Sequence, residues 1–155
     1  MSRAFVKESD DAGEPLPELA VSPHTNFVTP AGLKQIEARV VALEAELLAA
    51  KAGADKSLVA RIRRDQRYWS QRRGSARVVE PASGVPDAAR FGTTVTLRLA
   101  AGAERAFKIV GEDEADPARG LVSWVSPLGR ALTGQAVGDE VAVAGQPAEV
   151  VGLSA

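Results

Sequence analysis

The sequence predicts an α+β protein in which an N-terminal antiparallel helical hairpin precedes a small β-sheet domain with one short helix. Three observations carry this. Leu33, Ile36, Val40, Leu43 and Leu47 recur at steps of three and four, the seam of a helix packed along a second helix. Another helical stretch follows a short break at Gly53, which makes the pair an αα-hairpin. Beyond Pro81 the pattern changes to short alternating runs separated by Gly and Pro turns, as in a small sheet.

Residues 1–28 combine acidic groups with Pro15, Pro17 and Pro23 and show no sustained period, so an extended or disordered tail is expected. Phe5, Val6 and Leu16 are its candidates for docking on the body or on a partner. His24, the only histidine, has no companion ligand and is read as a tail residue without a catalytic role. Thr29-Pro30 starts the first helix, a hydroxyl at the N-cap before a ring that fixes φ at the first helical position. Gly53 favours the end of that helix. After a break of about five residues, Asp55 or Ser57 caps a second helix. Its inner stripe is Leu58, Ile62, Asp65 or Gln66, Trp69 and Ala76, with Trp69 as the main anchor. Packing is preferred for Tyr68 and Trp69 over stacking on nucleic-acid bases, because helical spacing turns Trp69 inward. The hairpin is thus assigned to residues 29–78, a linker to 79–89 and the sheet domain to 90–155.

Charge is segregated. Residues 55–77 hold eight basic and two acidic side chains, whereas residues 78–155 hold six basic and ten acidic ones. The second helix carries Arg61, Arg63, Arg64, Arg67, Arg72, Arg73 and Arg77. Three acids on the first helix cannot neutralise seven arginines, which favours an anionic partner over a merely solvated face. The chain has no cysteine, so disulfides, thiolate metal sites and a Cys nucleophile are excluded. No stretch approaches the ~18 apolar residues of a membrane span, and the N-terminus lacks a signal-peptide core. A cytoplasmic monomer with no membrane partner is expected.

In the sheet domain, residues 93–99 alternate with Val95, Leu97 and Leu99 on one face, and residues 105–110 pair with them across Ala101-Gly102. A strand over 121–125 follows an acidic loop. Ser126-Pro127 opens a short helix over 128–132, closed by Thr133-Gly134, and Gly138-Asp139 turns into a strand at Glu140. The acids Glu112, Asp113, Glu114 and Asp116 lack EF-hand spacing and are read as a solvated turn, with no metal site expected.

Three pieces of this run, Val110-Gly111-Glu112-Asp113-Glu114-Ala115-Asp116, Ser126-Pro127 with Arg130-Ala131-Leu132, and Val137-Gly138-Asp139, resemble the C-terminal domain of the bacterial GreA/GreB transcript-cleavage elongation factors. The resemblance covers about residues 90–153 and implies an FKBP-like sheet domain that grips RNA polymerase core beside its secondary channel. It implies that Val125, Ser126, Pro127 and Arg130 lie on that contact. It also implies that the arginine face, with Arg61, Arg63, Arg64 and Arg67, meets nascent RNA or an acidic rim of the channel. In that family the coiled coil enters the channel, and paired carboxylates at its tip help to hold the second catalytic magnesium.

This chain departs from the family at the tip. Residues 49–57 offer Asp55 as the sole acid, beside Lys56, and Asp55 also suits a helix cap. From Pro30 to Lys51 the first helix would span about 33 Å, short for a family coil. The expectation is a weak or non-cleaving modulator with no catalytic residue, no cofactor of its own, and an action near the polymerase magnesium. Asp55 is the candidate if cleavage is stimulated after all. The alternatives are a peptidyl-prolyl isomerase, which would have only Phe91, Phe107 and Trp124 for an apolar pocket, and a plain nucleic-acid binder.

Overall fold

A computed structural model describes residues 16–155; Phe5 and Val6 lie outside them. The elements run β1 (Phe27–Val28), α1 (Pro30–Ala52), α2 (Lys56–Ser75), β2 (Arg77–Val78), β3 (Thr94–Arg98), β4 (Glu104–Val110), β5 (Leu121–Ser123), α3 (Pro127–Leu132), β6 (Glu140–Val143) and β7 (Gln146–Ser154). The architecture is α+β, with two antiparallel helices and then a mixed sheet.

α1 begins where Thr29 and Pro30 say it should. The Thr29 hydroxyl accepts from the Gly32 amide at 2.9 Å, and Pro30 takes the first helical turn. Ile36, Val40, Leu43 and Ala50 are buried along the inner face, and Leu43 is wholly inaccessible. From α2, Ile62 is buried with them, and Leu58, Val59 and Trp69 pack against the cluster. The connection is tighter than five residues: Gly53, Ala54 and Asp55 alone separate the helices. Gly53 keeps a right-handed conformation, and the left-handed position falls on Ala54 at φ 54°. A left-handed alanine costs roughly 1–2 kcal/mol, offset here by closure of the hairpin.

The stretch read as a tail is not wholly outside the fold. Asn26, Val28 and Thr29 are buried, and Phe27–Val28 pairs in parallel with Arg77–Val78. Chain entry and hairpin exit are therefore clamped side by side. No period announces so short a strand, because two residues cannot show one.

The sheet order is β5-β4-β3-β7-β6, antiparallel except for β4 against β5. The turn between β6 and β7 is Ala144-Gly145, both at positive φ (49° and 78°), as a two-residue turn matched to strand twist requires. Val95, Leu97, Phe107, Ile109, Val122, Leu132, Val141, Ala148 and Val150 form the core against which α3 closes the sheet. Ala89, placed in the linker by the sequence, belongs to this core, its amide and carbonyl bonded to Gln135 and Gly134. The parallel β4–β5 step has one further consequence. A parallel neighbour cannot be reached by a tight turn, so residues 111–120 leave the sheet end and return through a 3-10 turn at Pro117–Arg119. That detour carries the acidic loop to the base of the hairpin.

Candidate functional site

The acidic loop is not solvated. Arg72, on the last turns of α2, has a side chain 2% exposed, and its Nε donates to Asp113 Oδ2 at 2.5 Å. Its Nη2 donates to Asn26 Oδ1 at 2.8 Å and lies 3.8 Å from Glu112 Oε2, a charge contact beyond hydrogen-bonding distance. That Glu112 oxygen is buried without a hydrogen-bond partner. The other Asp113 oxygen accepts from the Tyr68 hydroxyl at 2.6 Å. Burial, followed by the bond to Asp113, pushes the Tyr68 hydroxyl up to about 12. Asn26 closes the circuit by donating to the Arg72 carbonyl at 2.7 Å.

One residue further on, the Thr29 hydroxyl donates to Glu114 Oε1 while capping α1. The Glu114 carboxylate lies so near Gly32 that an added Cβ would sit 2.6 Å from Oε1. At Gly111 an added Cβ would meet the Phe27 carbonyl at 2.4 Å. Both glycines therefore let the hairpin base and the sheet domain approach closely. Trp124 completes the junction edge-on to Phe27, with ring centres 5.2 Å apart, and to His24 at 5.9 Å.

This junction corrects two expectations. Glu112, Asp113 and Glu114 form a docking loop, and Arg72 belongs to it and not to the arginine surface. The paired residues lie 40 or more positions apart in the chain, so no local pattern joins them. The only hint is three successive carboxylates beside a domain boundary in a chain with an arginine-rich helix. Tyr68 is engaged with Asp113, and Trp69 packs in the hairpin seam.

The rest of the arginine helix divides. Arg64 pairs with its neighbour Asp65 at 2.9 Å, and Arg67 pairs with Glu18. Arg61, Arg63 and Arg73 of α2 are exposed and make no ion pair among the described residues, and neither does exposed Arg77, which the sequence placed on the second helix but which lies past its end in β2. Arg63, Arg67 and Arg73 line a shallow groove with Gln66 and Ser70 between the helices, where Glu44 of α1 also lies. Glu46 does not reach α2 and pairs with Arg39 of its own helix at 2.9 Å.

At the hairpin tip, Asp55 Oδ1 accepts from the Leu58 amide at 3.0 Å as the N-cap of α2. Lys51, Lys56 and Arg63 surround it on an open surface. Among the described residues, no group of three or more His, Asp or Glu is placed to hold a metal ion.

The Ser126 turn is built by close contact. The Ser126 hydroxyl accepts from the Gly129 amide at 3.0 Å and donates to the Ser123 carbonyl at 2.6 Å. A Cβ at Gly129 would lie 2.0 Å from that carbonyl, so the helix sits hard on the end of β5. Pro127 and Arg130 are exposed beside half-buried Val125 and Ser126. Phe107 is buried in the core under the Arg105 guanidinium, and Phe91 and Trp124 pack on Phe27, so all three aromatic rings of the domain are engaged in packing.

Comparison with known proteins assigns this domain. Residues 84–150 match the family model described as transcription elongation factor, GreA/GreB, C-term. This segment is similar to the C-terminal domain of the GreA/GreB factors. It is 46% identical over 69 residues to the transcription elongation factor GreA of Syntrophotalea carbinolica, covering 44% of each chain. It is 43% identical over 81 residues to the transcription elongation factor GreB of Neisseria meningitidis serogroup A, covering 52% of this chain and 50% of that one. The chain thus spans about half the length of the curated relatives it matches. Among solved structures, GreA factor homolog 1 of Thermus thermophilus aligns with 85% of this chain and 100% of its own, at 20% identity and a TM-score of 0.41. A GreA/GreB factor from Nitrosomonas europaea aligns with 84% and 99%, at 19% identity and a TM-score of 0.40. The matched domain presents Pro127 and Arg130 on its surface, and the Arg72 latch joins it to the arginine helix that precedes it. No helix among the described residues is long and apolar enough to cross a membrane.

Proposed function

We propose that this chain is a Gre-like elongation regulator that binds RNA polymerase at the secondary channel and stimulates little transcript cleavage. Docking is assigned to the sheet domain through Val125, Ser126, Pro127 and Arg130, because the family-matched residues concentrate there. The exposed arginines of α2, foremost Arg61, Arg63 and Arg67, meet an anion, either the nascent RNA or an acidic rim of the channel. Arg64, half-buried on Asp65, is a weaker member of that set. The protein acts near the polymerase magnesium without a cofactor of its own and regulates the activity of the polymerase.

The tip carries the non-cleaving part of this reading. Asp55 is its sole acid, and one of its oxygens already accepts from the Leu58 amide. Hard-cation affinity rises with the number and charge of oxygen ligands, and a single capped carboxylate between two lysines supplies few. Backtracked elongation complexes test the proposal. The protein should bind core polymerase, leave intrinsic cleavage nearly unchanged and inhibit GreA-stimulated cleavage, and Asp55→Ala should preserve that competition. Robust cleavage that Asp55→Ala abolishes would make it a true cleavage factor. Absence of polymerase binding would remove the partner assignment altogether.

A further inference from the structure

Residues 16–25 run beside α2 in the same direction. Glu18 meets Arg67, Asn26 reaches Arg72 and Ser75, and Phe27 pairs with Arg77. The segment is fixed at its far end by the Asn26 bonds, the β1–β2 pairing and the His24–Trp124 contact, so Glu18 is delivered to α2 by an anchored strap. Its contact there is specific. Arg67 Nε donates to the Glu18 carboxylate at 3.0 and 3.1 Å, and Nη2 donates at 2.5 Å. This is the two-pronged pairing with which a guanidinium also grips a phosphate.

Arg67 at the same time lines the interhelical groove with Arg63 and Arg73. A phosphate bound in that groove through the Arg67 fork and the Glu18 carboxylate require the same donors, and cannot be held together. Four more carboxylates, Glu8, Asp10, Asp11 and Glu14, precede Glu18 in the sequence against two cations, Arg3 and Lys7. Being part of the chain, the strap competes at an effective concentration that does not fall on dilution.

We propose that the N-terminal strap is an internal acidic competitor, with Glu18 occupying Arg67 in the free protein and leaving when the phosphodiester backbone of single-stranded RNA enters the arginine groove. This rests on the reading of α2 as an anion-binding face. The strap then discriminates: an isolated anion or a weak contact does not displace it, whereas a polyanion engaging Arg63, Arg67 and Arg73 together does. Both partners are more than half exposed, at 62% for Glu18 and 56% for Arg67, so exchange is unhindered by packing.

The test is binding of a short fluorescein-labelled oligouridylate to the full chain by fluorescence anisotropy, with Glu18→Gln, Arg67→Gln and the double variant, each checked for folding by circular dichroism. Glu18→Gln should tighten binding about two- to fivefold at low ionic strength, the range open to one exposed ion pair. The gain should vanish near 1 M salt, where the Debye length is about 3 Å. Arg67→Gln should weaken binding, and adding Glu18→Gln to it should change nothing further. Unchanged or weaker binding by Glu18→Gln, with Arg67→Gln still impaired, overturns the competitor while the anion-binding face stands. Binding that Arg67→Gln does not weaken overturns it as well. If the wild-type chain and Glu18→Gln both fail to bind the oligonucleotide, the RNA reading of α2 falls and the competitor falls with it.

Discussion

Replacing Arg72 by methionine is the sharpest perturbation of this structure, because a single guanidinium joins three chain segments. The side chain is 2% exposed and its main partner Asp113 is 9% exposed, so neither charge is compensated by water. Methionine roughly keeps the aliphatic volume but leaves the Asp113 carboxylate with Tyr68 as its side-chain donor, and Asn26 Oδ1 with none. Removing one member of a buried pair costs about 3–5 kcal/mol, mainly because the other is left charged and dry. For a chain of this length, about 2–4 °C per kcal/mol makes that a fall of about 6–20 °C in Tm. Thermal and urea unfolding followed by circular dichroism and tryptophan fluorescence would read it, since Trp124 lies at the junction and Trp69 in the hairpin seam. Arg73→Met, at the exposed neighbouring position, should stay within about 0.5 kcal/mol of wild type. Combined with Asp113→Ala, Arg72→Met should cost clearly less than the two single changes added together, a coupling of about 0.5–3 kcal/mol. Equal effects of Arg72→Met and Arg73→Met, or strict additivity with Asp113→Ala, would refute the latch.

Two further outcomes follow from the same packing. Leu43→Ala, at a wholly buried seam position, should destabilise the full chain by about 2–5 kcal/mol, and an unchanged urea midpoint would show that the seam is not a packed interface. Tyr68 is the single tyrosine, so the absorbance of its phenolate should titrate near 12 in the folded protein and near the ordinary ~10 in denaturant. Because the folded value is the higher, the stability it contributes is complete below about pH 10 and lost as pH rises through about 12. A folded-state midpoint at the ordinary value would remove the Tyr68–Asp113 bond from the account.

The sequence by itself determined whatever depends on near neighbours. The step of three and four from Leu33 to Leu47 specified a paired helix, Thr29-Pro30 and Ser126-Pro127 specified helix starts, and the period of two around Val95 and Leu97 specified a strand with one buried face. Local wording was also enough for the family resemblance, since residues 110–139 form one continuous run of turns and caps. Three matters fell to the tertiary structure. Glu112, Asp113 and Glu114 look like any solvated turn until the parallel β4–β5 step carries them onto the hairpin base. Arg72 looks like its exposed neighbours Arg73 and Arg67 until burial separates it from them. Phe27–Val28 looks like tail until Arg77–Val78 is beside it. In each case the deciding interaction joins residues 40 or more apart, and charge or propensity read along the chain carries no term for which distant segment the fold brings into reach.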